Sequence, residues 1–358
     1  MEALFFNAHA GYLEGVIRGY KAGLLSQQAY NNLTQCETLD DLKLQLSATD
    51  YGNFLSNETP PISTSTIAEK ATERLVDEFN YIKSNAGGQL SLFLEYITRA
   101  FMVDNVILLI TGTLHERDTH ELLERCHPLG TFDGMAALCI ATNVEELYNS
   151  VLVETPLAPY FQQCMSAADL DELHIEIIRN TLYKAYLEDF YSFVQSLPDP
   201  TNEMMSKILE FEADRRTINI SINSLGTGLS KEQRARLFPS LGKLYPEGHL
   251  ALARADDFDQ VKNAVEMVGE YRSFFEANAA TQTGGDEGED NAAAQDMEDQ
   301  FFKEEVRLNK LAFLQQFSLA PFYAFFKLKE QEIRSITWIA ECIAQNARDR
   351  IDDYIPIF

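Results

Sequence analysis

Two histidines, His115 and His120 in the run HERDTH, come nearest to a metal-binding signature in this chain. A zinc helix needs its histidines four residues apart, one above the other on a single face. A spacing of five points the rings about 140° apart on a helix that turns roughly 100° per residue, so the run reads as a polar turn. Cys126-His127-Pro128 offers two adjacent donors but no second pair at ligand spacing. The paired acids also fall short. Asp256-Asp257-Phe258-Asp259 is followed by Gln260, where a magnesium–diphosphate motif needs a further Asp, and Asp40-Asp41 is followed by Leu42, Lys43 and Leu44. Gly242-Lys243 has Leu237 where a phosphate loop places its first glycine. Gly226-Thr227-Gly228 lacks the third glycine and the preceding strand of a dinucleotide fold. No G-x-S-x-G occurs, and His9, His115, His120, His127, His174 and His249 are scattered outside any nucleophile context. The sequence therefore predicts no catalytic centre, no metal and no cofactor.

The densest mixed-charge cluster on an apolar helix is FEADRRTIN, where Arg215 and Arg216 stand beside Glu212 and Asp214. It reads either as an ion-paired helix surface within the protein or as a contact surface for a partner helix.

The elements that carry these residues are helical. Ser166 to Asp169 resembles a capping box, and Leu170, Leu173, Ile177, Ile178, Leu182 and Ala185 follow at three- and four-residue steps. That helix must stop near Ser196-Leu197-Pro198-Asp199-Pro200. Ile336, Ile339, Ile343, Ala347 and Ile351 form a second long stripe. Strand-like alternation is scarce, so the fold class is all-α. Between Ser273 and Phe302 there is no Lys or Arg, and seven acids crowd into its centre; composition reads this stretch as a disordered loop.

Two short patterns recur three times in the same order. The first is Asp40-Asp41-Leu42, Glu145-Glu146-Leu147 and Asp256-Asp257-Phe258, with Thr38 and Thr142 in N-cap-like positions before the first two. The second is Asp104-Asn105-Val106, Ile218-Asn219-Ile220 and Ile336-Thr337-Trp338, with Arg216 and Arg334 ahead of the last two. The intervals argue for three related helical units of roughly 110–120 residues. Their expected bounds are 1–125, 126–235 and 236–358, the third carrying an acidic insertion at about 279–300. Three such units could close into a ring or funnel.

The chain of 358 residues carries 29 basic against 55 acidic residues, a net charge of −26. That balance makes nucleic acid and anionic lipid poor partners. Glu2 occupies the place of a positive leader segment, and the greasiest run, Phe101 to Ile110, carries Asp104 and Asn105. The expected setting is the cytosol or the cytosolic face of a membrane. Cys36, Cys126, Cys139, Cys164 and Cys342 form no CxxC pair and fit reduced, mostly buried thiols.

Several long blocks carry a resemblance. They are NLTQCETLDDLKLQLSATDYGNFL (Asn32 to Leu55), LITGTLHERD (Leu109 to Asp118), RCHPLGTFD (Arg125 to Asp133) and ETPLAPYF (Glu154 to Phe161). IEIIRNTLYKAYLEDFY (Ile175 to Tyr191), FEADRRTINI (Phe211 to Ile220) and ITWIAECIAQNARDRIDDYI (Ile336 to Ile355) complete the set. In order and along nearly the whole chain, they resemble the d-subunit family of the eukaryotic vacuolar-type proton ATPase, with 279–300 departing as an insertion.

The resemblance implies three pseudo-symmetric helical bundles arranged as a funnel, in a non-catalytic part of the membrane (Vo) sector. It implies a seat on the cytosolic face of the proteolipid c-ring of vacuolar or endosomal membranes, with membrane contact only through the complex. It further implies that the funnel receives the foot of the central stalk, subunits D and F, so that ATP hydrolysis drives the proton-carrying ring. The competing reading is a free-standing helical scaffold or adaptor sharing the repeat fold. Candidate interface residues are Phe5, Tyr12, Arg18 and Tyr20 in the N-terminal segment, with Arg215, Arg216 and Arg334. Closure of the funnel would make the units of Cys36 and Cys342 neighbours, and both thiols are expected to be reduced.

Overall fold

The computed structural model describes residues 2–115, 117–135, 146, 155–162, 175–276 and 287–358. In chain order its α-helices are α1 (Glu2–His9), α2 (Gly11–Ala22), α3 (Gln27–Thr34), α4 (Leu39–Leu46), α5 (Gly52–Leu55), α6 (Thr64–Asn85), α7 (Gly88–Leu114), α8 (Thr119–Arg125), α9 (Ala158–Gln162), α10 (Ile175–Gln195), α11 (Thr201–Asn223), α12 (Lys231–Leu237), α13 (Glu247–Arg254), α14 (Phe258–Val265), α15 (Ser273–Glu276), α16 (Glu287–Ala312) and α17 (Ala320–Ala344). No strand occurs among the described residues, so the architecture is all-α. None of the described helices is long and apolar enough to cross a membrane.

The helix starts follow local chemistry. Thr38 sits extended before α4; its hydroxyl accepts the Asp41 N–H while the Asp41 carboxylate accepts the Thr38 N–H, a closed capping box. Asp257 caps α14 by accepting from Gln260 N–H at 2.8 Å. The recurring acidic pairs thus hold different registers: the second acid lies inside the helix at Asp41 and before it at Asp257. The Glu145-Glu146-Leu147 copy and the Ser166–Asp169 box lie largely or wholly outside the described residues. Ser230 and Gln233 close a second box at α12. Ser230→Ala should lower stability by about 1 kcal/mol in urea unfolding, since it removes one cap acceptor.

Two expectations need correction. The C-terminal stripe is not one helix. α17 ends at Ala344, Asn346 adopts φ 56°, and Ala347 N–H and Asn346 N–H donate back to Cys342 O and Ile343 O. This is a Schellman turn, in which Asn tolerates the left-handed position. Ile351 is still buried, but it arrives through a short 3₁₀ turn. The acidic stretch is also not loop throughout, because α16 begins at Glu287. Acids in a first turn are favoured by the helix dipole, and the alanines at 292–294 are the strongest helix formers.

The chain divides into two compact units. One comprises Met1–Leu94, Asp199–Met204 and Glu298–Phe358; the other comprises Glu95–Pro198 and Met205–Met297. In the first, α17 packs along α6 and α2 and also meets α3 and α4. Its core joins Tyr30, Leu33, Leu42, Leu46, Tyr51 and Ile67 from the start of the chain to Ile336, Ile339 and Ile343 from its end. Cys36 and Cys342 are both free, buried members of that cluster.

α17 also buries charge. Glu332 is fully enclosed and accepts from Leu25 N–H at 2.5 Å, Tyr51 hydroxyl at 2.7 Å and Lys329 Nζ at 3.2 Å. The Lys329 ammonium lies 4.1 Å from the Tyr51 ring centroid, a cation–π contact away from water.

In the second unit, Tyr96 of α7 stacks on Phe190 and Phe193 of α10 at 5.0 and 4.7 Å. Asp189 accepts from the Tyr96 and Tyr160 hydroxyls and from Arg99. Arg234 of α12 is buried and donates to Ala255 O at 2.6 Å, satisfying a carbonyl at the end of α13.

Candidate functional site

The seven sequence candidates fall into three physical settings. Phe5 on α1 and Tyr12 on α2 are exposed, at 62% and 68%. Apolar surface of that size on a first helical turn gains nothing from the fold itself. Tyr12 shares a 2.8 Å hydroxyl hydrogen bond with Tyr81 of α6.

Arg18 and Tyr20 are used inside the first unit. Arg18 pairs with Glu14 at 2.7 Å and donates to the carbonyls of Phe313 and Gln315, so its guanidinium ties α2 to the segment after α16. Tyr20 packs at 5.7 Å on Phe325 and under the Arg74 guanidinium. Arg334 lies exposed on α17, held 4.0 Å over the Phe302 ring and bonded to Gln331.

Arg215 and Arg216 belong to the second unit, on α11. Both address Glu212, at 3.7 and 3.5 Å, and the Arg216 guanidinium lies 3.3 Å from the Tyr183 ring centroid. Asp214, the other acid of FEADRRTIN, does not join them. It is fully buried on another face and accepts from Lys243 N–H (2.8 Å), Leu244 N–H (3.1 Å) and the Tyr271 hydroxyl (2.6 Å). Burial pushes its carboxyl up to about 6 despite these three donors. Gly242 has φ 106° and a Cβ there would strike the Asp214 carboxylate, so both its backbone and its lack of a side chain are required.

The ion pairs tie Arg215 and Arg216 to Glu212 on their own helix. They also line a cleft of about 730 Å³, shared with Arg179 and Asn180 of α10, Asn219 of α11 and Gln233 of α12. Arg179 carries no sequence signal as a lone Arg. Asn219 stands out in the sequence only as the centre of a repeat marker.

The residues of HERDTH do not sit on one helix. Asp118 caps α8 by accepting the Glu121 N–H, and His120 lies 3.2 Å from Glu124. Cys126 donates its thiol to Leu122 O, while the His127 ring accepts the Leu129 N–H and stacks on Phe101. Asn105, centre of the first repeat marker, is buried and bonds both main-chain groups of His127. These polar groups serve packing and turns.

An all-helical chain with this fixed polar interior matches one known class of protein along almost its whole length. Residues 13–354 match the ATP synthase (C/AC39) subunit family. The chain is 58% identical to V-type proton ATPase subunit d of Neurospora crassa, with both chains fully covered. It is 55% identical to the subunit d of Dictyostelium discoideum over 99% of this chain and 96% of that one. To subunit d1 of Arabidopsis thaliana it is 52% identical, over 99% and 98%. The chain belongs to the ATP synthase (C/AC39) subunit family, and within it to the subunits d of V-type proton ATPases.

Proposed function

We propose that this chain is the non-catalytic rotor coupling of a V-type proton ATPase. It sits on the cytosolic face of the proteolipid c-ring and receives the central stalk, subunits D and F, so that torque from ATP hydrolysis reaches the ring that carries protons. The observation that carries this reading is the identity, above 50%, to proteins named subunit d over essentially their full length.

The physical demands of such a part agree with the fold. A torque adapter must be stiff, and close-packed helices with enclosed ion pairs resist deformation. It needs broad surface rather than a deep reactive pocket. Three related helical units arranged as a funnel would present that surface to a helical stalk. The exposed aromatics Phe5 and Tyr12 and the cation Arg334 are the proposed contact groups; Arg18 and Tyr20 would act by holding α2 in place. A net charge of −26 favours basic stalk residues in the encounter.

The test is the composition of the complex that copurifies with a tagged copy from gently solubilised membranes. The expected result is one copy per proteolipid ring, with subunits D and F present whenever the soluble sector is attached. Recovery as a lone chain, or with unrelated partners, would instead make it a free-standing scaffold on the same fold.

A further inference from the structure

We infer that the arginine-lined cleft of the second unit binds a multiply phosphorylated small molecule, either free in solution or presented as a lipid headgroup. This goes beyond the coupling role and does not depend on it. Three arginines, Arg179, Arg215 and Arg216, line one cavity in a chain that is otherwise strongly acidic. Glu176 lies 3.6 Å from Arg179, and Glu212 is shared by Arg215 and Arg216. At 3.5 to 3.7 Å, each of these three contacts is an ion pair longer than a good hydrogen bond.

The pairing is also incomplete in geometry. Glu212 Oε1 stands 3.5 Å from Arg216 Nε, an ion pair without a hydrogen bond, and that buried Nε has no acceptor among the described residues. The buried Nε of Arg179, on the facing helix, is in the same position. Buried donors without acceptors are uncommon and costly, and guanidinium forks match phosphate oxygens in shape as well as charge.

The site is also preorganised. Arg216 is clamped between Tyr183 and Glu212, so little side-chain freedom remains to be lost on binding. Asn180, Asn219 and Gln233 add neutral donors around the guanidiniums. A cleft of about 730 Å³ has the size of a small-ligand site. Three arginines on one cleft suit a group bearing several charges better than a single carboxylate, which favours clustered phosphates over an acidic peptide.

The experiment is isothermal titration of the purified full chain with inositol hexakisphosphate at about 0.15 M salt, where long-range repulsion from the acidic surface is screened. Saturable binding at one site is expected. Arg179→Gln and Asn219→Asp should each weaken it at least about tenfold. The second variant sets a carboxylate one helical turn from both Arg215 and Arg216, removes no ion pair of the fold, and should not lower the urea midpoint.

A parallel arm uses phosphatidylcholine vesicles with and without phosphatidylinositol bisphosphate. Binding to the loaded vesicles that Arg179→Gln abolishes assigns a lipid-borne headgroup; binding of the soluble anion alone assigns a free one. No saturable binding at about 1 mM, or equal affinity in the wild type and both variants, overturns the inference. So does displacement by an acidic peptide of a chain that ignores both phosphate probes.

Discussion

Replacing Glu332 by alanine is expected to cost about 3–5 kcal/mol of folding stability, because it strands the buried Lys329 ammonium. Glu332 is fully enclosed, and its two oxygens serve a backbone N–H, a tyrosine hydroxyl and a lysine at once. Its removal also leaves the Leu25 N–H without this acceptor at the start of α3's approach to α17. Glu78, which feels the Lys329 charge and whose carboxyl burial already pushes up, pairs with Arg74 at 2.9 Å. Tyr51, whose hydroxyl is held far above its usual range by burial and then by Glu332, would ionise more readily in the variant. Urea unfolding followed by circular dichroism measures the loss.

The double variant Lys329→Met/Glu332→Leu should recover much of that loss, since no charge is left inside. Strong positive coupling in this cycle is the signature of a paired interior charge. A loss below about 1 kcal/mol in the single variant would mean that water reaches the site and the pair is not buried in solution.

The second large effect is at Asp214. Asp214→Ala should cost about 2–4 kcal/mol near neutral pH, as two backbone N–H groups and the Tyr271 hydroxyl lose their shared acceptor while the desolvation of one carboxylate is relieved. The pH dependence is the sharper test. The folded carboxyl titrates at about 6 against an ordinary 3.8, so the native state holds the extra proton. Stability from this group is therefore fully present below about 4 and is lost as pH rises through about 6, up to roughly 3 kcal/mol in all.

The alanine variant lacks that loss. Its deficit relative to wild type should be about 1 kcal/mol smaller near pH 7.5 than near pH 5. A deficit that grows with pH would mean the carboxyl titrates below its ordinary range, with the three donors outweighing burial.

The difference between Asp214 and its neighbours shows where reading the sequence stops. FEADRRTIN displays two acids and two arginines together, and the helical period pairs only Glu212 with the arginines while naming no partner for Asp214. Glu212 sits three and four residues before the arginines and pairs with them; Asp214 is one and two residues away and faces elsewhere. Its partners lie in a turn about thirty residues further on, a long-range contact that no local pattern encodes.

The all-α class and the cap at Thr38 were legible because capping chemistry is local, whereas the repeat pattern concealed that Asp257 is itself a cap. The end of α17 was not, because the apolar period continues through Ala347 and Ile351 while one left-handed Asn turns the chain. At the cleft, Arg215 and Arg216 were visible as a doublet. Arg179 was hidden, since a single charged residue beside a glutamate is the commonest helix surface there is.

The core of the first unit joins the earliest helices to the last one. Tyr30, Leu42 and Tyr51 close against Ile336, Ile339 and Ile343, and every residue of the second unit is translated before α17. A chain emerging from the ribosome must therefore hold α2 to α6 without their central partner until synthesis is nearly complete. During that interval their apolar faces are open to chaperones. A premature stop anywhere before α17 removes the helix on which the start of the chain closes, so truncated products should be cleared rather than assembled.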